Sequence, residues 1–123
     1  MEVKKTTERQ VLKTIMDDYY DLIKTRGWQP YTNAKSVAMN LHVEAGELAE
    51  HFTWLLESDL DQLSEAKKSA IGDELGDVML NVLHLASLYE IDILKATQEK
   101  LEKIKQAYPI GDEKLRQVYL RED

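Results

Sequence analysis

The chain has no cysteine, which excludes disulfides, thiolate metal sites and a cysteine nucleophile. Proline and glycine are scarce, two and five residues in 123, and phenylalanine occurs once. So few helix breakers argue against a disordered chain, and so few aromatics leave the core to Leu, Ile, Val, Ala and Met. No apolar run approaches the roughly 20 residues of a membrane span, and the opening MEVKKTTERQ lacks the apolar stretch of a signal peptide. The expected setting is therefore cytoplasmic, with no membrane partner. Basic residues are outnumbered, 16 Lys and Arg against 23 Asp and Glu, for a formal charge of −7. That potential repels a nucleic-acid polymer, and no basic stripe interleaved with aromatics overcomes it. A small phosphorylated ligand is still admissible, because a divalent cation held by carboxylates inverts the local field.

What is present is helical patterning along a length suited to one domain, expected to span 1–123. Val11, Leu12, Ile15, Met16, Tyr19, Leu22 and Ile23 recur at helical spacing, and Thr7 with Gln10 forms a capping-box pattern. Gly27 is the expected stop, and WQPYTN follows as a loop. Asn33 is the expected N-cap of a second helix running to about Glu57. After a break at SDLDQLSE, a third helix is strongest from Ala70 to Tyr89, and its VMLNVLHLASLY is apolar nearly all round. Asp92 caps a fourth helix that ends at Pro109-Ile-Gly111, and the tail from Asp112 adds at most a short helix. The fold class is all-α. A modest core and an apolar third helix also point to a homo-oligomer.

Acids interrupt the apolar faces in VEAGELAEHFTWL and GDELGDVMLNVLHLA. Glu44 and Glu47 share a helix stripe with Asn40 and His51, beside the apolar side; Glu74, Asp77 and Asn81 form a matching stripe. If these helices are antiparallel neighbours, four carboxylates converge, an arrangement that requires protons or a cation. Oxygen-only ligands favour Mg²⁺, with Mn²⁺ as a substitute, and Mg²⁺ commonly bridges to phosphate. With 23 acids in 123 residues, an isolated E-x-x-E arises by chance, so weight falls on the two pairs together. A di-iron bundle needs Glu-x-x-His pairs, and none follows these acids. The competing interpretation is an acidic, non-enzymatic helical interaction module.

EAGELAEHFTW, then DELGDVMLNVLHLA, then KLEKIKQAYP resembles the MazG-like all-α nucleoside triphosphate pyrophosphohydrolases, particularly their small dCTP-pyrophosphatase-like branch. The resemblance runs from about Arg26 to Pro109. It implies a four-helix subunit assembled into a homodimer or homotetramer, and Mg²⁺ on Glu44, Glu47, Glu74 and Asp77 as metal and catalytic residues. It also implies water attack at the α-phosphorus of a (deoxy)nucleoside triphosphate, releasing the monophosphate and pyrophosphate in nucleotide-pool house-cleaning. Trp28 and Trp54 correspond to base-pocket aromatics, Lys100 to a lysine near the triphosphate, and Lys103 is its neighbour on the helix face. Asn81 takes a substrate-binding position where dCTP-selective relatives carry tyrosine. Tyr19 replaces a histidine and Ile104 an asparagine, so the preferred base is left open. His51 is expected as a helix-edge hydrogen bonder, His84 as a packed histidine, and Gly46 and Gly76 as points of close helix packing.

Overall fold

The computed structural model describes residues 5–111. Among them are four helices and no strand: α1 (Glu8–Thr25), α2 (Ala34–Glu50), α3 (Glu65–Leu88) and α4 (Ile93–Ala107). None is long and apolar enough to cross a membrane. The chain divides after Glu90 into one compact unit holding α1 to α3 and a second holding α4. The expected tail helix lies outside the described residues.

Each helix begins where a short polar side chain can satisfy a free backbone N–H. Thr7 and Gln10 form the reciprocal capping box, with Thr7 N–H donating to Gln10 Oε1 at 2.7 Å and Gln10 N–H to Thr7 Oγ1 at 3.2 Å. Asn33, Ser64 and Asp92 cap α2, α3 and α4 by accepting from the backbone N–H three residues on. At the far end of α1, Gly27 takes the left-handed conformation (φ 69°) that releases the chain into a 3-10 turn at Gln29–Tyr31.

The second helix is shorter than its apolar pattern suggests, ending at Glu50 rather than near Glu57. Beyond it, amides bond three residues back instead of four: Phe52 to Ala49, Thr53 to Glu50 and Leu55 to Phe52, at 3.0–3.2 Å. Asp59 Oδ2 then accepts from Leu56 N–H at 2.8 Å. These local bonds replace the helical ladder, so Trp54 sits in a turn rather than on α2.

Antiparallel pairing of α2 and α3 follows from their cross-links. Asn40, early in α2, meets Asn81, late in α3, whereas His51 at the end of α2 meets Lys67 and Glu74 early in α3. Asn81 is 5% exposed, and both ends of its amide are engaged: Oδ1 accepts from Asn40 Nδ2 at 3.2 Å, and Nδ2 donates to the Asp77 carbonyl at 2.9 Å. A satisfied buried amide of this kind sets the register of two helices. On the other side, α1 packs Tyr19 and Tyr20 edge-on against His84, with ring centroids 5.5 and 5.3 Å away. Tyr20 Oη also hydrogen-bonds Ser87 Oγ at 2.9 Å. His84 is 1% exposed and is thus the packed histidine expected. Among the described residues the buried apolar set is small: Met16, Ile23, Val37, Leu83 and Ala86.

Two details depart from an ideal helical subunit. Gly46 and Gly76 do not mediate close packing within the chain, since a Cβ at either would meet nothing within 4 Å. Glu90, just past the end of α3, holds φ 53°, a conformation that favours glycine. Glu90→Gly should therefore stabilise the protein by about 1 kcal/mol. A urea midpoint that moves up at unchanged slope would show it; an unchanged or lowered midpoint would mean that the strain is absent.

Candidate functional site

The register that seats Asn81 on Asn40 also brings the acids together. Glu44 on α2 and Glu74 and Asp77 on α3 each present an oxygen, and these oxygens all lie within 4.8 Å of one another. Glu44 and Glu74 are half-buried, and Asp77 is exposed. Glu47 is one helical turn on from Glu44, outside that group of three but close enough to act on the Glu44 carboxyl. The four acids picked out by spacing therefore gather on one helix boundary.

Their electrostatics are those of crowded carboxyls. The Glu44 carboxyl is pushed up to about 7, first by burial and then by the carboxyls of Glu47, Asp77 and Glu74. Across the site, the Tyr19 hydroxyl of α1 is also shifted upward, by burial and then by the charge of Asp77. Glu44 Oε2 and Glu74 Oε2 are buried without a hydrogen-bond partner. Two acceptor atoms left bare at a converging set of acids match the donor set of a hard cation, whose 6 or so oxygen ligands would satisfy them.

The remaining predicted residues are placed less uniformly. Trp28 is 45% exposed in the turn after α1, with the Arg26 guanidinium 6.0 Å from the ring centre. Trp54 is 91% exposed. Asn81 lies one turn beyond Asp77 with its amide already engaged. Lys100 and Lys103 are exposed on α4, where Lys100 borders an apolar strip of Ile93, Ala96, Leu101 and Ile104 within the second unit. Lys67 was not singled out by sequence; the available signal was its place two turns before Glu74 on the same helix stripe.

The sequence pattern of the MazG nucleotide pyrophosphohydrolase domain matches residues 32–110, a span that contains all four acids. The chain belongs to this family. The MazG domain here is similar to dCTP pyrophosphatase 1 of Rattus norvegicus, 30% identical over 89 residues, covering 69% of this chain and 51% of the relative. The Homo sapiens protein of the same name is 28% identical over 86 residues, covering 68% and 51%. This MazG chain thus spans about half the length of those curated relatives. Among solved structures, a pyrophosphatase from Archaeoglobus fulgidus superposes with a TM-score of 0.74 at 28% identity, covering 88% of this chain and 99% of its own. That likeness extends over nearly the whole of the neighbour, so the all-α architecture is the family's own.

Proposed function

We propose that residues 1–123 act as one nucleotide pyrophosphohydrolase domain that hydrolyses a (deoxy)nucleoside triphosphate at the α-phosphorus, giving the monophosphate and pyrophosphate, as in nucleotide-pool house-cleaning. The observation that carries this reading is the convergence of Glu44, Glu74 and Asp77 within 4.8 Å in a chain of the MazG family. These three and Glu47 would hold Mg²⁺, or Mn²⁺ in its place, which when bound supplies charge neutralisation at the phosphates and a more acidic water. Glu47, outside the tight group, has an oxygen to accept the proton of the attacking water as the new P–O bond forms and pyrophosphate departs. Asn81 contributes by holding α2 and α3 at the spacing the carboxylates need. The family resemblance alone suggests Lys100 and Lys103 as triphosphate-binding residues, and the relatives named for dCTP make a pyrimidine deoxynucleotide the leading substrate.

Trp54 and Trp28 are the aromatic surfaces available for a base. Because Trp54 is 91% exposed, Trp54→Ala should leave folding intact while raising KM about tenfold, the lower end of the range for one base stacked on an aromatic ring. A KM within twofold of the parent protein would remove Trp54 from the base pocket.

A homodimer or homotetramer is part of the same proposal. Met39 and Val43 on α2 and Leu75 and Met79 on α3 are exposed in the single chain, and Gly46 and Gly76 have open space at the helix surface. Each mid-helix glycine costs about 1 kcal/mol relative to alanine, and a contact from a second copy would offset it. Sedimentation at micromolar concentration tests this, and a monomer throughout would refute it. The activity itself is tested by pyrophosphate release from a panel of canonical and modified nucleoside triphosphates, with Mg²⁺ or with EDTA. Turnover that needs the metal supports the enzyme. No turnover and no metal-dependent nucleotide binding would instead favour the acidic interaction module.

A further inference from the structure

We infer that His51 and Lys67 form a positioning relay that holds one oxygen of Glu74 and leaves the other for the cation. The inference rests on the metal-dependent reading above and adds to it two residues that are not themselves ligands. His51 stands at the C-terminal cap of α2, and its ring reaches across to α3. On one side Nδ1 lies 3.3 Å from Lys67 Nζ; on the other Nε2 lies 3.8 Å from Glu74 Oε1. An ammonium group only donates, so Nδ1 accepts and the ring proton sits on Nε2, facing the carboxylate. The gap to Glu74 is about 0.6 Å beyond hydrogen-bonding range, so the ring faces the carboxylate at ion-pair distance. Glu74 Oε2, buried and without a partner, is the oxygen left over.

The position of Lys67 supports a role beyond solubility. It is the third residue of α3, where Ser64 accepts its backbone N–H at 3.1 Å, so its backbone is fixed by the cap. A cation in the first turn of a helix opposes the helix dipole, an arrangement that by itself disfavours lysine there. Its side chain is half-buried and turned toward His51 rather than into solvent. An ammonium placed directly among Glu44, Glu74 and Asp77 would neutralise them and compete with a metal. Acting through an imidazole, the same charge orients Glu74 while its second oxygen and the carboxylates of Glu44 and Asp77 stay free for a cation. Supporting shells of this kind typically change metal affinity or activity by 10–100-fold.

The test combines long-range ¹⁵N–¹H correlation of the histidine ring with Mg²⁺ titration calorimetry on the full chain. The ring spectrum of the parent protein should show the Nε2–H form, and Lys67→Met should convert it to a mixture of tautomers. Mg²⁺ should bind about tenfold more weakly to both His51→Leu and Lys67→Met, with Lys67→Arg restoring affinity because it keeps a donor. Lys67→Met guards against a His51 variant that fails to fold. An Nδ1–H ring in the parent protein, or parental Mg²⁺ affinity in both variants, overturns the relay. Glu74→Gln in the same titration separates the two levels: parental affinity in both relay variants with weakened binding in Glu74→Gln defeats the relay alone, whereas parental affinity in Glu74→Gln defeats the metal reading as well.

Discussion

Glu74→Gln should lower the rate of pyrophosphate release by about 10³-fold or more while making the metal-free protein slightly more stable. The two effects have one cause. Glu74 offers an otherwise unsatisfied oxygen to a cation and stands within 4.8 Å of Glu44 and Asp77. Removing its charge takes away a ligand whose contribution to transition-state stabilisation is several kcal/mol, and about 4 kcal/mol corresponds to that loss of rate. Without metal the same charge repels its neighbours, so an isosteric amide relieves the cluster and can donate to it. A rise in melting temperature of roughly 5 °C, or about 1 kcal/mol in a domain of this size, is expected in EDTA. Added Mg²⁺ should then stabilise the parent protein but not the variant. A Glu74→Gln protein that turns over at the parental rate would remove the site from catalysis. A variant both inactive and less stable in EDTA would show that Glu74 serves the fold.

Mg²⁺ should bind more tightly as pH rises toward and through about 7, the value to which the Glu44 carboxyl is pushed. The proton on Glu44 must leave before both of its oxygens can serve a cation, so affinity should fall about tenfold per pH unit below that value. Calorimetry in buffers of different ionisation enthalpy would count the proton released. The same group sets a stability trend in the metal-free protein. Its folded value lies above its ordinary 4.5, so its contribution is full below 4.5 and is lost as pH rises through about 7. His84 acts in the opposite sense: burial lowers its value from 6.5, so its contribution is full above 6.5 and is lost on acidification. Saturating Mg²⁺ should abolish only the Glu44 limb, separating the two. A Kd that stays constant between about pH 6 and pH 8 would contradict the assignment of Glu44 as a ligand.

Much of this was legible in one dimension because helix periodicity is a short-range property. Thr7 with Gln10, Asn33 and Asp92 announced three of the helix starts, and each makes its capping bond. The stripe Asn40, Glu44, Glu47 and His51 needed only the angle per residue to be placed on one face. Where α2 ends was not legible, since Phe52, Leu55 and Leu56 continue the apolar pattern while three-residue hydrogen bonds end the helix. The roles of single polar residues were also hidden. Nothing in the spacing shows that Asn81 uses its amide on Asn40, or that Lys67 faces His51, because those pairings cross between helices.

Sequence by itself determined the all-α class, three of the four helix starts and the two acidic stripes, all consequences of neighbours within about four residues, whereas α3 begins at Glu65, ahead of its strongest apolar pattern. Tertiary structure decided which carboxylates meet, that Glu44 retains its proton to about 7, and that Glu74 has one oxygen toward His51 and one bare. Those depend on the antiparallel register of α2 and α3, which joins residues some 16 to 41 positions apart and is set by packing rather than by local preference.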